Sequence, residues 1–163
     1  MSATVIVAWW GAVLSTIVFC WDIYKWRSAG ARFRISASSN MMMIGGGIPD
    51  RDDRHFVVLT VSNIGSKKTT ITHMVGFHYA NRWQRLRKKP STNFVVSAPS
   101  DGQPIPYGLE PGARWMGMMD QGDKVIKMSR KGLLFVGIYH SIAETPLLVQ
   151  VLPIPDIPER AKR

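Results

Sequence analysis

The first 21 residues carry no charged side chain, and this uncharged run constrains the chain more than any other feature. From Ala3 to Trp21 the run is mainly apolar, which just reaches the roughly 20 residues that a helix needs to cross a bilayer core. A buried helix of a soluble protein is usually shorter than this. The run therefore predicts an N-terminal transmembrane helix over residues 1–24.

A cleaved signal peptide is the main alternative interpretation of this run. Signal peptides begin with a basic segment and end at a cleavage site of small residues. Here no Lys or Arg precedes Lys25, and no Ala-x-Ala-like sequence closes the run. Cys20 follows Phe19, although a lipoprotein cysteine is expected to follow a small residue. These features favour an uncleaved membrane anchor.

The charges beside the run predict its orientation. Basic residues near a membrane span tend to stay in the cytoplasm. Here they lie only on the C-terminal side of the run, at Lys25, Arg27, Arg32 and Arg34. We therefore expect the N-terminus outside, a basic juxtamembrane linker over 25–30 and a cytoplasmic domain. The aromatic side chains that suit the membrane interface are Trp9, Trp10, Trp21, Tyr24 and Trp26.

The rest of the chain, about 140 residues, is long enough for one domain with a hydrophobic core. Short alternating or β-branched apolar runs are separated by Gly, Pro, Asn and Asp, which is typical of an antiparallel β-sandwich. We expect this domain over 31–152 and an extended, disordered Pro-rich basic tail over 153–163. The predicted strands lie at 31–38, 55–63, 69–79, 93–97, 114–119, 124–128, 132–139 and 146–152. On the third strand we expect one face to carry Ile71, Val75, Phe77 and Tyr79.

Two stretches carry a resemblance to known proteins. Phe56–Gly65 followed by Thr69–Thr72 is similar to a strand–turn–strand unit common in immunoglobulin-like sandwiches, and so is the Leu109–Gly112 step before a strand. The whole layout resembles small, mostly uncharacterised bacterial proteins with one N-terminal span, a basic juxtamembrane stretch and such a domain. The resemblance implies an all-β fold, namely an immunoglobulin-like antiparallel β-sandwich preceded by one transmembrane helix. It implies no activity, because a fold does not fix a function.

The chain is strongly basic, with 21 Lys and Arg against 11 Asp and Glu and a net charge of +10. This balance is typical of proteins that contact anionic lipid, nucleic acid or an acidic partner. The densest cluster surrounds Trp83 and comprises Arg82, Arg85, Arg87, Lys88 and Lys89. We expect this cluster and the juxtamembrane cluster (Lys25, Arg27, Arg32, Arg34) to contact the anionic cytoplasmic leaflet together. Nucleic acid is a weaker prediction, because Trp83 alone offers stacking and no binding motif is present.

Residue types that support catalysis or metal binding are sparse. His140, Ser141 and Glu144 lie within one predicted hairpin, but no glycine-framed nucleophile elbow surrounds Ser141. His73 and His78 are five residues apart on a predicted strand and would point to opposite faces. No cysteine lies in the predicted domain to complete a zinc site. We therefore expect no enzymatic activity, no catalytic or metal site and no cofactor.

An apolar loop completes the sequence-based hypothesis. Met41, Met42, Met43 and Ile44 precede a glycine run, and methionine suits adaptable binding surfaces. We expect a non-enzymatic, membrane-tethered protein-interaction module or a subunit of a membrane complex. Lipids would contact the helix, and another membrane-associated protein would bind this loop or an exposed edge strand. The alternatives are an envelope-side binding domain with reversed topology and a basic domain that contacts lipid or nucleic acid.

Overall fold

The computed structural model describes residues 3–28, 30–44 and 54–155. Helix α1 (Ala3–Ser28) contains 26 residues and is about 39 Å long at 1.5 Å per residue. Its apolar segment, Ala3–Trp26, is not buried against the rest of the chain. By length and composition this helix could cross a membrane, a test that a signal sequence near an N-terminus also meets. Helix α1 continues through Ser28, so residues 25–28 of the expected linker are helical.

Over residues 30–44 and 54–155, the body that follows α1 contains eight strands and two short helices. The strands are β1 (Phe33–Met42), β2 (His55–Asn63), β3 (Thr69–Tyr79), β4 (Thr92–Val96), β5 (Tyr107–Leu109), β6 (Arg114–Asp120), β7 (Leu133–His140) and β8 (Ala143–Val151). The helices are α2 (Arg82–Leu86) and α3 (Asp123–Lys131). The prediction of a mainly β body behind one N-terminal helix is confirmed at this level.

The strands form two antiparallel sheets with a hydrophobic core between them. One sheet has the order β1-β2-β6, and the other has the order β4-β3-β7-β8, with β5 also paired to β3. Trp115 is the largest fully buried side chain, and its indole Nε1 donates to Gln103 O at 3.0 Å. The core takes side chains from both sheets, among them Val57, Leu59, Val61, Ile71, Met74, Leu134, Val136 and Ile138.

Both α2 and α3 differ from the sequence-based expectations. The strand predicted at 124–128 is part of α3, whose partly buried apolar residues pack against the core. Asp123 in the first turn and Arg130 and Lys131 in the last turn favour this helix through its dipole. Asn81 caps α2, because its side chain accepts a hydrogen bond from Gln84 N at 2.9 Å. Capping residues and terminal charges are weaker indicators of secondary structure in a sequence than the pattern of apolar residues.

Strand β1 is longer than expected and includes the first two residues of the predicted Met loop. Asn40 adopts a left-handed φ of 58°, at an irregularity in the β1–β2 register between Ser38 and Met41. Its backbone N–H donates to Gln121 Oε1 at 2.8 Å, which holds the bulge in place. The strand then resumes, and Met41 and Met42 pair with β2 rather than lying in a loop.

Strand β3 contains a second irregularity, which changes which of its side chains face the core. The register of β3 against β7 shifts between Ile71 and His73. Ile71 and Met74 therefore both face the core, whereas Val75 and Phe77 lie on the opposite face of the sheet. The expectation that Ile71 shares a face with Val75, Phe77 and Tyr79 is wrong. An apolar face consequently lies outside the core.

The body has two distinct ends, which we call the helix end and the far end. At the helix end, Ile64 N donates to Arg32 O at 2.8 Å and Ser66 N donates to Gly30 O at 3.0 Å. The link over 29–32 spans at most about 14 Å, so this end stays near the end of α1. Strand β3 runs from the helix end to the far end, over roughly 33 Å. The far end carries α2 and the end of β1.

The packed chain continues past β8. Ile154 is buried, its carbonyl accepts a hydrogen bond from Arg130 Nε at 2.8 Å, and its N–H donates to Ser129 Oγ at 3.3 Å. The folded body therefore extends beyond the expected boundary at 152. The remainder of the predicted tail, 156–163, lies outside the described residues.

Candidate functional site

The predicted anchor residues all lie on α1 with exposed side chains: Trp9, Trp10, Trp21, Tyr24 and Trp26. The rings of Trp21 and Tyr24 are 6.0 Å apart between centroids. The hydroxyls of Ser15 and Thr16 donate to Gly11 O and Ala12 O, each at 2.8 Å. Internal hydrogen bonds of this kind leave few polar groups unsatisfied, which suits an apolar surrounding.

The structure separates the two basic clusters. Lys25, Arg32 and Arg34 lie on α1 or at the helix end, and the side chain of Arg27 lies outside the described part of the chain. The second cluster, Arg82, Arg85, Arg87, Lys88 and Lys89, lies at the far end on and beside α2. Roughly 33 Å of strand β3 separates the two ends, whereas charges are screened over about 8 Å at physiological salt. The clusters therefore do not form one basic surface.

The segment around α2 folds onto the outer face of the second sheet. Gln84 Oε1 accepts hydrogen bonds from Ala80 N at 2.9 Å and from Ser91 Oγ at 2.7 Å, which ties the two ends of the segment together. The Arg85 guanidinium carbon lies 3.9 Å from the centroid of the Phe135 ring. This cation–π contact fixes a positive charge above an aromatic surface.

An open groove lies between this segment and strand β8, and we call it the aromatic groove. It has a volume of about 360 Å³. Phe77, Tyr79 and Tyr139 contribute aromatic rings, and Arg85 and Lys88 contribute cations. The remaining lining residues are Pro90, Thr145, Pro146 and Leu148. None of these lining residues is acidic, so the groove combines apolar surface with two cationic side chains.

The predicted Met contact is exposed but only partly a loop. Met41, Met42 and Ile44 are exposed at the far end of β1, and Ile44 is the most exposed at 90%. Met43 is partly buried and lines a separate cavity of about 220 Å³ beside Phe56 and Met118. Three of the four residues are therefore exposed, and Met43 is partly covered.

The sheet edges differ in how far they are available for strand addition. Gln103 covers part of the β6 edge, because its Oε1 accepts from Met116 N at 3.1 Å and its Nε2 donates to Arg114 O at 3.2 Å. Met118 N also donates to Pro99 O. Strands β1 and β8 lie side by side. Strand β4 ends the second sheet and exposes Val95.

The candidate catalytic residues His140 and Ser141 each bond to a different part of the backbone. His140 Nδ1 accepts from Ile142 N at 3.3 Å, and Ser141 Oγ accepts from Thr70 N at 3.2 Å. The His140 ring packs against Phe33, with 4.6 Å between the ring centroids, and burial lowers the pKa of His140. Glu144 is exposed. The hydroxyl and the imidazole therefore have separate partners.

The described residues contain no group of three or more His, Cys, Asp or Glu side chains able to hold a metal ion.

The aromatic groove was not predicted from the sequence. Its floor depends on the shifted register of β3, and no local sequence pattern indicates this shift. No protein-family model matches the chain, and no curated protein matches it significantly.

Proposed function

We propose that this protein is a non-enzymatic, membrane-tethered interaction module. Helix α1 spans the membrane once, and the body is a cytoplasmic immunoglobulin-like β-sandwich. The module binds an acidic segment of a membrane-associated partner in the aromatic groove. The observation that carries the proposal is the groove itself, which joins an aromatic floor to Arg85 and Lys88 and has no acidic lining residue.

The strand order supports the immunoglobulin-like assignment. In variable-type immunoglobulin domains, strand C lies between C′ and F, and F lies beside G. The order β4-β3-β7-β8 has the same arrangement when β3 is taken as strand C. The opposing sheet pairs β2 with β6, as strands B and E pair in that fold.

The position of the basic residues supports the proposed orientation. Lys25 lies on the last turns of α1, and Arg32 and Arg34 follow within a few residues. Such residues tend to remain on the cytoplasmic side of a span. The body then lies in the cytoplasm, with its far end directed to partners beyond the headgroup layer.

The chemistry of the groove indicates its ligand. Hydrogen bonds between a carboxylate and Arg or Lys are charge-assisted and stronger than neutral ones. The rings of Phe77, Tyr79 and Tyr139 offer surface to an aromatic or aliphatic side chain next to that carboxylate. A net charge of +10 accelerates encounters with acidic partners, and tethering raises the local concentration of the module near membrane proteins.

Site-specific photo-crosslinking in native membranes tests this function. A photoreactive residue at Thr145, an exposed lining residue, is introduced into the full-length chain with or without Arg85→Glu/Lys88→Glu. We expect a discrete crosslinked partner whose yield falls about tenfold or more in the double variant, since hydrogen bonds to charged groups contribute roughly 1.5–3 kcal/mol. Lys124→Glu/Lys127→Glu on the exposed side of α3 changes the charge equally and should retain the crosslink.

Thermal unfolding of each variant establishes that the body remains folded. A crosslink that is unaffected by the groove variant, or lost equally in the α3 control, contradicts binding of an acidic segment in the groove. Absence of any discrete crosslinked protein contradicts the interaction module itself.

A further inference from the structure

Three side chains form a row across the exposed face of the first sheet at its helix end. Arg34 on β1 is directly opposite Ser62 on β2, and Ser62 is directly opposite Arg114 on β6. Neighbouring strands are about 4.8 Å apart, so the two arginines are anchored roughly 10 Å from each other. Both guanidinium groups can therefore reach one small anion placed above Ser62.

The row borders a polar cavity of about 320 Å³, which we call the arginine cradle. The other lining residues are Asn63, Ile64, Gly65 and Gly112, and none of the lining residues is acidic. Arg114 Nε donates to Ser62 Oγ at 3.3 Å, which holds this side chain over the sheet. Among the described residues neither arginine of the cradle forms an ion pair, whereas nearby Lys68 pairs with Glu110 at 2.6 Å.

Two arginines on either side of Ser62, with no carboxylate among the cavity-lining residues, favour an anion that accepts from both. The planar guanidinium group donates two parallel hydrogen bonds to phosphate, with a fork geometry that lysine lacks. An anion above Ser62 would lie between the two guanidinium groups and could accept hydrogen bonds from both. The cradle is therefore built for a phosphate group.

The location of the cradle indicates the source of this phosphate. The β2–β3 turn beside the cradle is hydrogen-bonded to the link that leaves α1. Ile64 on this turn is 56% exposed, and Ile142 on the β7–β8 turn at the same end is 57% exposed. Exposed apolar tips next to basic side chains are typical of a surface that enters the headgroup layer.

We propose that Arg34, Ser62 and Arg114 bind the phosphate of an anionic phospholipid in the leaflet where α1 ends. This inference rests on the membrane tether of the proposed function, but it does not depend on the partner in the aromatic groove. Lipid binding here docks the helix end onto the bilayer. The aromatic groove, on the outer face of the second sheet, stays open to the cytoplasm.

Full-length protein in lipid nanodiscs tests the cradle. A polarity-sensitive dye is attached to Ile142→Cys in a Cys20→Ser chain, so that it reports on the helix end without lining the cradle. Discs contain phosphatidylcholine alone or phosphatidylcholine with phosphatidylglycerol. We expect a blue shift of the dye only with phosphatidylglycerol. The docked-to-undocked ratio should fall about 25-fold in Arg34→Gln/Arg114→Gln, at about fivefold for each basic side chain.

Two further variants separate the cradle from general charge. Arg82→Gln/Arg87→Gln removes the same charge at the far end and should change the ratio less than about twofold. These two positions lie farther from the helix end than the distance over which salt screens charges. Arg34→Lys/Arg114→Lys keeps the charge but loses the fork geometry, and we expect it to restore docking only in part. Two results would overturn the cradle and indicate diffuse charge attraction instead. One is an equal loss of docking in the cradle and far-end variants, and the other is full docking by the lysine variant.

Inorganic phosphate serves as the free-anion probe. If it raises the melting temperature of the unmodified chain but not of Arg34→Gln/Arg114→Gln, and phosphatidylglycerol produces no blue shift, the site binds free phosphate and the lipid assignment is wrong. Failure of the chain to co-elute with the discs contradicts the tether and, with it, this proposal. Entry into the discs without a lipid-dependent shift contradicts lipid binding by the cradle and leaves the tether intact.

Discussion

Single buried polar residues organise the helix end of the body, and Asn63 is the clearest case. Its side chain is fully buried and makes three hydrogen bonds. Its Nδ2 donates to Lys67 O at 2.7 Å and to Leu109 O at 3.2 Å, and its Oδ1 accepts from Gly65 N at 3.0 Å. One amide therefore joins the β2–β3 turn to β5, and it positions the turn that borders the arginine cradle.

Replacement of Asn63 by Ala should strongly destabilise the body. It leaves two carbonyl groups and one N–H without their partner, and each buried unsatisfied group costs about 1–3 kcal/mol. We expect a loss of about 3–5 kcal/mol in the free energy of unfolding, measured by urea denaturation of the full chain in detergent. Asn93→Ala, at an exposed position of β4, is the matched control and should lose less than about 0.5 kcal/mol.

Because His140 is buried, we expect the stability of the body to depend on pH. Burial lowers its pKa below the ordinary value near 6.5, and protonation also removes the Nδ1 acceptor of Ile142 N. Below about pH 6.5 the unfolded state binds more protons than the native state, so the free energy of unfolding falls as the pH falls. This stabilising contribution is fully present above pH 6.5.

Urea denaturation between pH 5 and pH 8 measures this effect. His140→Phe keeps an aromatic ring against Phe33 and should flatten the pH profile. A profile that is equally steep in His140→Phe places the titrating group elsewhere.

At the scale of elements, a side chain can take the place of a neighbouring strand by bonding the backbone of a sheet edge. Gln103 does this for β6, because its amide bonds the N–H of Met116 and the carbonyl of Arg114 as a neighbouring strand would. Uncovered strand edges invite pairing with other chains. Gln103 therefore protects part of the β6 edge from pairing with another chain.

Gln103→Ala should both destabilise the body and expose this edge. Loss of the two edge hydrogen bonds and of the bond to Tyr107 should cost about 1–3 kcal/mol, seen as a lower melting temperature. Light scattering of the detergent-solubilised chain should show added self-association. Gln150→Ala, at an exposed position of β8, is the control. Equal melting temperatures for the two variants would show that Gln103 does not hold the edge.

The same elements show how far the sequence determines the fold. Strands β2 and β3 were predicted with their observed limits, because their β-branched runs end at clear turn residues. Helix α3 was missed because nine residues carry too short a pattern to separate a helix from a strand. The register shift in β3 depends on its pairing with β7, and the bulge at Asn40 depends on a hydrogen bond to Gln121. These partners are distant in the sequence, so neither irregularity has a local signal.

At the scale of the whole molecule, the candidate surfaces follow from strand direction and register. The two basic clusters look equivalent in the sequence, but β3 carries one of them to the far end. Arg34, Ser62 and Arg114 are far apart in the sequence, and only the pairing register brings them into one row. The resulting account has a tether and a lipid contact at one end and an open groove on the outer face of the second sheet.

The topology of the full-length chain tests this account most directly. A single reporter, Lys127→Cys in a Cys20→Ser chain, lies on the exposed side of α3 and away from both candidate surfaces. A membrane-impermeant maleimide is applied to intact cells and to permeabilised cells, and the membranes are extracted with carbonate. The account predicts a full-length, carbonate-resistant product that is labelled only after permeabilisation. Labelling in intact cells, release by carbonate or a product shortened at its N-terminus would contradict a cytoplasmic domain held by an uncleaved helix.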